Sequence, residues 1–444
     1  MDIASVSFYN VVARLPTGIA GPPRLTTNSE VATITYLQAK LSLPIPKILD
    51  WNDNRSNAVG AEYIIQEHVA GVQLHQMWPR MSGEQHMLCT KMLSMALEKL
   101  ASLDFPSYGS LYFSDGPLES HMKVPFEQGF CVGPHCSPVF WNRDPVELEL
   151  YGGPSPNCGP WKNLTSYCQG LIQTGISRLP KDAASHEVLP HQGSIQEHIR
   201  LLKVIQEVLQ RLVEDERIQS AAAPALLHLD FHKRNIYVLA EDPTVITGII
   251  DWQSASIEPA FIYANETPDF ASLPERPDED AFENGHDEEQ KVPSHNDKEW
   301  KDSVICYKTY DVGMKGLVPK LRPAGLLDPT LFRPFYYCHT SWRDSATAVR
   351  QELIELSARW TELGLEGSCP FSPSEEELEE HARSYEDFET TNSDGWVPND
   401  VWDAAKDAHR AAYDEWIQTA RESESRGESL TVAKADKLWP FDVR

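Results

Sequence analysis

A chain of 444 residues has room for two lobes plus insertions, and 41% hydrophobic against 24% charged residues is the balance of a globular protein. A net charge of −27 repels polyanions, which argues against nucleic acid as a partner, and no run approaches the roughly 20 apolar residues of a membrane helix. A cationic small substrate is permitted by that charge without being demanded. The eight cysteines are scattered, with no CxxC pair and no zinc spacing, so they read as reduced thiols rather than a disulfide framework.

The first residues carry an early acid, Asp2, and no basic leader, so no signal or transit pattern is read there. Residues 6–16 read as a strand that Pro16 ends, followed by a Gly- and Pro-rich loop over 17–25. From 30 to 41 the residues Val31, Ile34, Leu37 and Leu41 recur at helical spacing, and Pro44 and Pro46 stop the helix. Residues 48–51 and 61–69 read as two more strands around the turn-forming Asn52-Asp53-Asn54. Residues 84–103 predict an amphipathic helix with Met87, Leu88, Met92, Leu93 and Leu97 on its apolar side. The aromatic, Gly- and Pro-rich stretch 105–195 predicts a long ordered insertion, with Trp141 and Trp161 as core residues. A helix follows over 196–216. Residues 264–299 are acidic and poor in apolar side chains, as in a solvated loop, and the chain from 326 to its end reads as helical and acidic.

The chemistry concentrates in His228-Leu229-Asp230-Phe231-His232-Lys233-Arg234-Asn235. Phosphoryl transfer needs a carboxylate to orient the attacking hydroxyl and accept its proton, and metal ions to neutralise the phosphates. Kinases place the metal-holding Asn five residues after that Asp, and a second Asp beyond a short hairpin. Asp230 and Asn235 have this spacing. Strand-like residues 236–239, the turn Glu241-Asp242-Pro243 and strand-like 245–250 then deliver Asp251-Trp252, which brings Asp251 back beside Asn235 as a second oxygen ligand for Mg²⁺. His228, ahead of the loop, would pack or hydrogen-bond to fix its backbone.

This motif, with Thr247-Gly248-Ile249-Ile250-Asp251-Trp252-Gln253, resembles the phosphotransferase enzyme family of aminoglycoside- and choline-kinase-like proteins. Ile19-Ala20-Gly21-Pro22-Pro23, Gly60-Ala61-Glu62-Tyr63-Ile64-Ile65 and Pro106-Ser107-Tyr108-Gly109 resemble its fungal branch, the altered inheritance of mitochondria protein 9 family. The resemblance implies an α+β, protein-kinase-like bilobal fold. A truncated N-terminal β lobe would span 1–69. A large, mainly helical C-lobe would span 70–444, including the insertion 105–195, the catalytic loop and metal hairpin 226–253, the acidic loop 264–299 and the helical tail 326–444. It implies ATP- and Mg²⁺-dependent phosphoryl transfer to a hydroxyl of an unidentified small molecule, with Asp230 as base.

Carried over residue by residue, Arg14 falls where such kinases have the strand lysine that touches the α- and β-phosphates, although an exposed strand-end arginine is an equal reading. Glu30 either pairs with Arg14 or closes a capping box with Thr27. Backbone groups of Glu67 and Val69, in the hinge 66–69, would meet adenine. Arg234 stands where a small residue is common, and would crowd the loop or reach a phosphate. The thirteen residues before Arg14 contain no glycine, so the phosphate-covering Gly-rich hairpin is expected to be missing and the Arg14 strand to be an exposed sheet edge. The alternative function is therefore a catalytically impaired pseudokinase acting as a scaffold or mitochondrial maintenance factor. By resemblance the location is mitochondrial; the absence of an import pattern makes cytoplasmic the alternative.

Overall fold

Short runs of branched residues alternate with Gly- and Pro-bearing turns at the beginning of the chain, and they pair into a small antiparallel sheet. In this computed structural model, the described residues are 10–16, 21–141, 155–181, 191–264, 266–273, 295–393 and parts of 410–435. Expectations for residues 6–9 and 17–20, for Tyr151-Gly152-Gly153-Pro154, for the acidic runs 278–280 and 287–289 and for 438–441 lie outside them. The chain divides into two compact units, Met1–Glu377 and Leu378–Arg444.

In the first unit, β1 (Val11–Arg14), β2 (Ile48–Asn52) and β3 (Tyr63–Glu67) form a sheet of order β1-β3-β2, in which Arg14 lies opposite Ile64. Among the described residues β1 is an edge strand, and Val11 is half exposed. Helix α1 (Leu25–Lys40) begins five residues before the expected Glu30. The start is set by a distant carboxylate rather than by the local Thr27–Glu30 pattern. Glu62, buried at the head of the helix, accepts the Arg24 amide at 2.9 Å and the Thr27 hydroxyl at 2.7 Å. A negative charge there also complements the helix dipole.

Val31, Ile34 and Leu37 are buried as the periodicity predicts, but so is the polar face of α1. The reason is the insertion. Its strands β5 (Ser110–Phe113), β6 (Val124–Pro125) and β7 (Phe130–Gly133) make a sheet of order β5-β7-β6 beside α1. The Tyr36 ring lies 6.1, 5.5 and 5.3 Å from those of Phe105, Phe126 and Phe130. Asn28 ties in the backbone, accepting the Phe113 amide at 3.3 Å. Farther on, His135 of the insertion meets the buried Glu258 at 2.5 Å, and the Tyr167 hydroxyl donates to the same carboxylate at 2.9 Å. Trp161 is buried and Trp141 packs at the margin of the same core.

The helix Gly83–Ala101 opens on a capping box between Ser82 and Gln85. Its buried stripe runs through Cys89, Leu93, Ala96, Leu97 and Leu100, whereas Met87, Leu88 and Met92 are exposed, which corrects the predicted apolar side. At 100° per residue those three lie round the flank from Leu93, and hydrophobicity alone did not rank the two faces. The remaining helical core packs Leu164–Ser177, Ile195–Glu214 and Ala346–Arg359 together. Between the helices and the first sheet, β4 (Val72–Gln73), β9 (Ile236–Val238) and β10 (Ile246–Ile249) form a sheet of order β10-β9-β4, and β8 (Pro224–Leu226) pairs with β11 (Ile257–Pro259). The fold is α+β and bilobal in the protein-kinase manner. The second unit has a small core of its own around Ile417, Ala420 and Ala435.

Tyr36→Ala should lower stability by about 3–5 kcal/mol, since a fully buried ring is removed between α1 and three phenylalanines; urea unfolding measures it.

Candidate functional site

The run after β8 is shaped by one buried imidazole. His228 Nε2 donates to the Ile250 carbonyl at 2.8 Å, and its Nδ1 accepts the Asp230 amide at 3.2 Å. Those partners require the neutral Nε2–H tautomer, and burial holds the pKa below the ordinary imidazole value. The ring also meets Trp252 edge-on at 4.6 Å. His228 thereby joins the start of the loop to the end of the hairpin.

Asp230 follows, and most of its oxygen valence is occupied. Asn235 Nδ2 donates to its backbone carbonyl at 3.0 Å and to Oδ2 at 2.8 Å. Arg234 donates through Nη2 to Oδ1 at 2.8 Å and Oδ2 at 2.7 Å, an i,i+4 pair on the loop's own carboxylate that the sequence reading did not foresee. Partial burial alone would raise the Asp230 pKa; hydrogen bonds from Arg234 and then Asn235 outweigh it and hold the carboxyl below its usual range. The loop's other cation, Lys233, is turned away, with its amide on Asp269 at 2.9 Å and its ammonium 5.1 Å above the Trp78 ring.

The hairpin closes as its strand–turn–strand pattern predicts, with Ile249 opposite Ile236 and the Ile250 amide on the Asn235 carbonyl at 3.0 Å. Asp251 sits there with φ of 67°, the left-handed region that Asp tolerates better than most side chains. The reversal directs its carboxylate to β1, where Arg14 Nη2 binds Oδ1 at 2.9 Å. The same guanidinium donates through Nη1 to Glu30 and approaches Gln253 Oε1 at 3.4 Å. Glu30 therefore pairs with Arg14 rather than with the Thr27 amide. Burial pushes the Glu30 carboxyl up to about 7, against the downward pull of Arg14.

Val12, Arg14, Glu67, Val69, Tyr237 and Asp251 line one cleft of about 290 Å³. The Glu67 amide already donates to the Lys47 carbonyl at 2.9 Å, so a ligand at Glu67 would meet its carbonyl. The donor set suits magnesium. With Nδ2 committed to Asp230, Asn235 has Oδ1 to offer, and Asp251 is a half-exposed carboxylate next to the residue bonded to Asn235. Two hard oxygens completed by phosphate and water form the usual protein share of a Mg²⁺ site. Among the described residues no cluster of three or more His, Cys, Asp or Glu side chains forms a metal site.

Two residues escaped the sequence reading. Gln253 had a signal, its place directly after Asp251-Trp252. Glu62 had none, because its role depends on the fold bringing it to the head of α1.

An Asp–Asn loop, a hairpin-end Asp and a strand cation paired to a helix Glu are together the arrangement of a kinase-like fold. The model of the phosphotransferase enzyme family matches residues 11–262, and the chain belongs to that family. It is similar to a subtelomeric hrmA-associated cluster protein of Aspergillus fumigatus, at 29% identity over 414 residues, 83% of this chain and 78% of the relative. It is also similar to altered inheritance of mitochondria protein 9, mitochondrial, of Lachancea thermotolerans, at 24% identity over 421 residues, 84% of this chain and 67% of the relative. Of solved structures, the streptomycin–ATP–APH(2″)-IIa ternary complex aligns at 12% identity with a TM-score of 0.36, over 76% of this chain and 86% of that one.

Glu30 sets a pH dependence. Its folded pKa of about 7 lies above the ordinary 4.5, so the folded state keeps this proton longer, and stability from this group falls as pH rises between those values and is level above them. Glu30→Gln should remove up to about 3 kcal/mol of that decline, read from urea unfolding at pH 5 and pH 8.

Proposed function

We propose that the protein transfers the γ-phosphoryl group of ATP to a hydroxyl of a small molecule. The observation that carries this reading is the convergence of Arg14, Glu30 and Asp251, from a strand, a helix and a hairpin, in one ion-paired cluster on the cleft. Backbone groups of Glu67 and Val69 meet the adenine, and Arg14, braced by Glu30, lies along the α- and β-phosphates. Asn235 Oδ1 and the Asp251 carboxylate would hold magnesium, which would supply positive charge to neutralise the phosphates. Asp230 orients the acceptor hydroxyl and takes its proton as the oxygen bonds to the γ-phosphorus and the bond to the β-phosphate oxygen breaks. His228 is a positioning residue that keeps Asp230 and Asp251 in register through the backbone.

A second reading has one observation in its favour. Arg234 covers both oxygens of Asp230, which suits a pseudokinase that binds nucleotide weakly and acts as a scaffold or maintenance factor. For either reading the similarity to proteins named as mitochondrial favours that compartment. Among the described residues no helix is long and apolar enough to cross a membrane.

MgATP should raise the melting temperature of the wild type by several degrees, with the shift lost in Asp251→Ala. Asp230→Ala should keep the shift while ATP turnover falls by about 10²–10⁴-fold. A wild type that melts unchanged with MgATP and turns over no ATP would sink the phosphotransferase reading and leave the scaffold.

A further inference from the structure

The Arg14 guanidinium is a fork shared between two carboxylates, and its two tines are unequal. The Nη1 tine rests on Glu30, which is 3% exposed and belongs to a helix enclosed on both faces. The Nη2 tine rests on Asp251, 40% exposed at the lip of the cleft, with Gln253 alongside. A buried ion pair is costly to break, because it leaves an uncompensated charge, whereas a half-exposed one is worth little. The fork is therefore anchored at Glu30 and releasable at Asp251. A lysine would bring a single ammonium, without the planar pair of donors that reaches both partners at once.

This geometry places a fixed positive charge on one oxygen of Asp251, the carboxylate read above as a magnesium ligand. We propose that Arg14 is a resident counter-cation of the metal site: it holds Asp251 until nucleotide phosphates draw its outer tine away, so that metal and nucleotide enter as a coupled pair. The inference rests on the reading of the cleft as a nucleotide site. Its physical basis is competition. A lone divalent cation has to expel a guanidinium and meets its repulsion, while a polyphosphate offers that guanidinium several anionic oxygens and releases Asp251 in the same movement. The left-handed backbone at Asp251 keeps the carboxylate aimed at Arg14, so no rotation of the strand end is needed for the exchange. Because binding couplings are reciprocal, nucleotide must tighten metal by the factor by which metal tightens nucleotide.

Binding of Mn²⁺ to the full chain, followed by the loss of the free-ion paramagnetic resonance signal, tests this with and without ADP, each ADP series being corrected by the same Mn²⁺–ADP mixture without protein. The wild type should bind Mn²⁺ alone weakly, and ADP should tighten it by about tenfold or more. Arg14→Gln combined with Glu30→Gln leaves the local charge balance unaltered and no carboxylate buried without its partner. This double variant should bind Mn²⁺ alone about tenfold more tightly than the wild type, and its ADP factor should be smaller than that of the wild type. Adding Asp251→Asn to the double variant should abolish the gain. Equal Mn²⁺ affinity in the wild type and the folded double variant overturns the proposal. So does a wild type that binds ADP with no effect on Mn²⁺, a measurement that stands even if the variant does not fold. If ADP fails to bind the wild type under any condition, the nucleotide reading falls, and the comparison of Mn²⁺ alone still decides whether Arg14 guards Asp251.

Discussion

Burying a carboxylate on a helix is expensive unless a cation is supplied, and Glu30 is such a carboxylate. Arg14 supplies the charge from the end of β1, and that single demand orders much of the first unit. It sets how β1 approaches α1, because the guanidinium must arrive at the buried face. It also sets where the hairpin ends, because the second tine of the guanidinium needs Asp251. Three elements distant in sequence are thus registered by one planar group.

The catalytic loop solves a related problem with neutral groups. Its backbone turns sharply between β8 and β9, and the amides and carbonyls at the turn must find partners. His228, Asn235 and the Ile250–Asn235 backbone bond provide them: the first and last tie the loop to the hairpin, and the Asn235 side chain closes the loop on the Asp230 carbonyl. The imidazole can bridge an amide and a carbonyl only when neutral, and its burial keeps it so. Charge is left to the rim, where Arg234 pairs with Asp230. The loop is thus held by hydrogen bonds that do not depend on salt, while the Asp230 carboxylate is held by an ion pair that does.

Much of this was legible because local patterns carried it. The Asp230–Asn235 spacing and the strand–turn–strand run to Asp251 are short-range features, and they formed as read. The pairing of Arg14 with Glu30 was legible only as one of two alternatives, since Thr27 to Glu30 spells a capping box just as well. Which alternative won depended on Glu62, thirty-two residues beyond Glu30, taking over the head of α1. The Arg234–Asp230 pair was missed although its partner is only four residues away, because the family pattern points to the small residue that Arg234 replaces and not to the carboxylate beside it. The exposed Met87, Leu88 and Met92 show the limit of apolar counting, which finds hydrophobic residues on a helix without saying which of them its neighbour covers.

The extra sheet on α1 bears on how this site can be governed. A helix that is free on one side can swing outward and carry its glutamate away, which gives a cell a lever for turning a kinase-like site off. Here any such swing would drag Tyr36 out from among Phe105, Phe126 and Phe130 and part the Phe113 amide from Asn28. The glutamate arm is held by the same packing that buries the helix, so Glu30 stays in place while Asp251, at the exposed end of the fork, is the partner that can move.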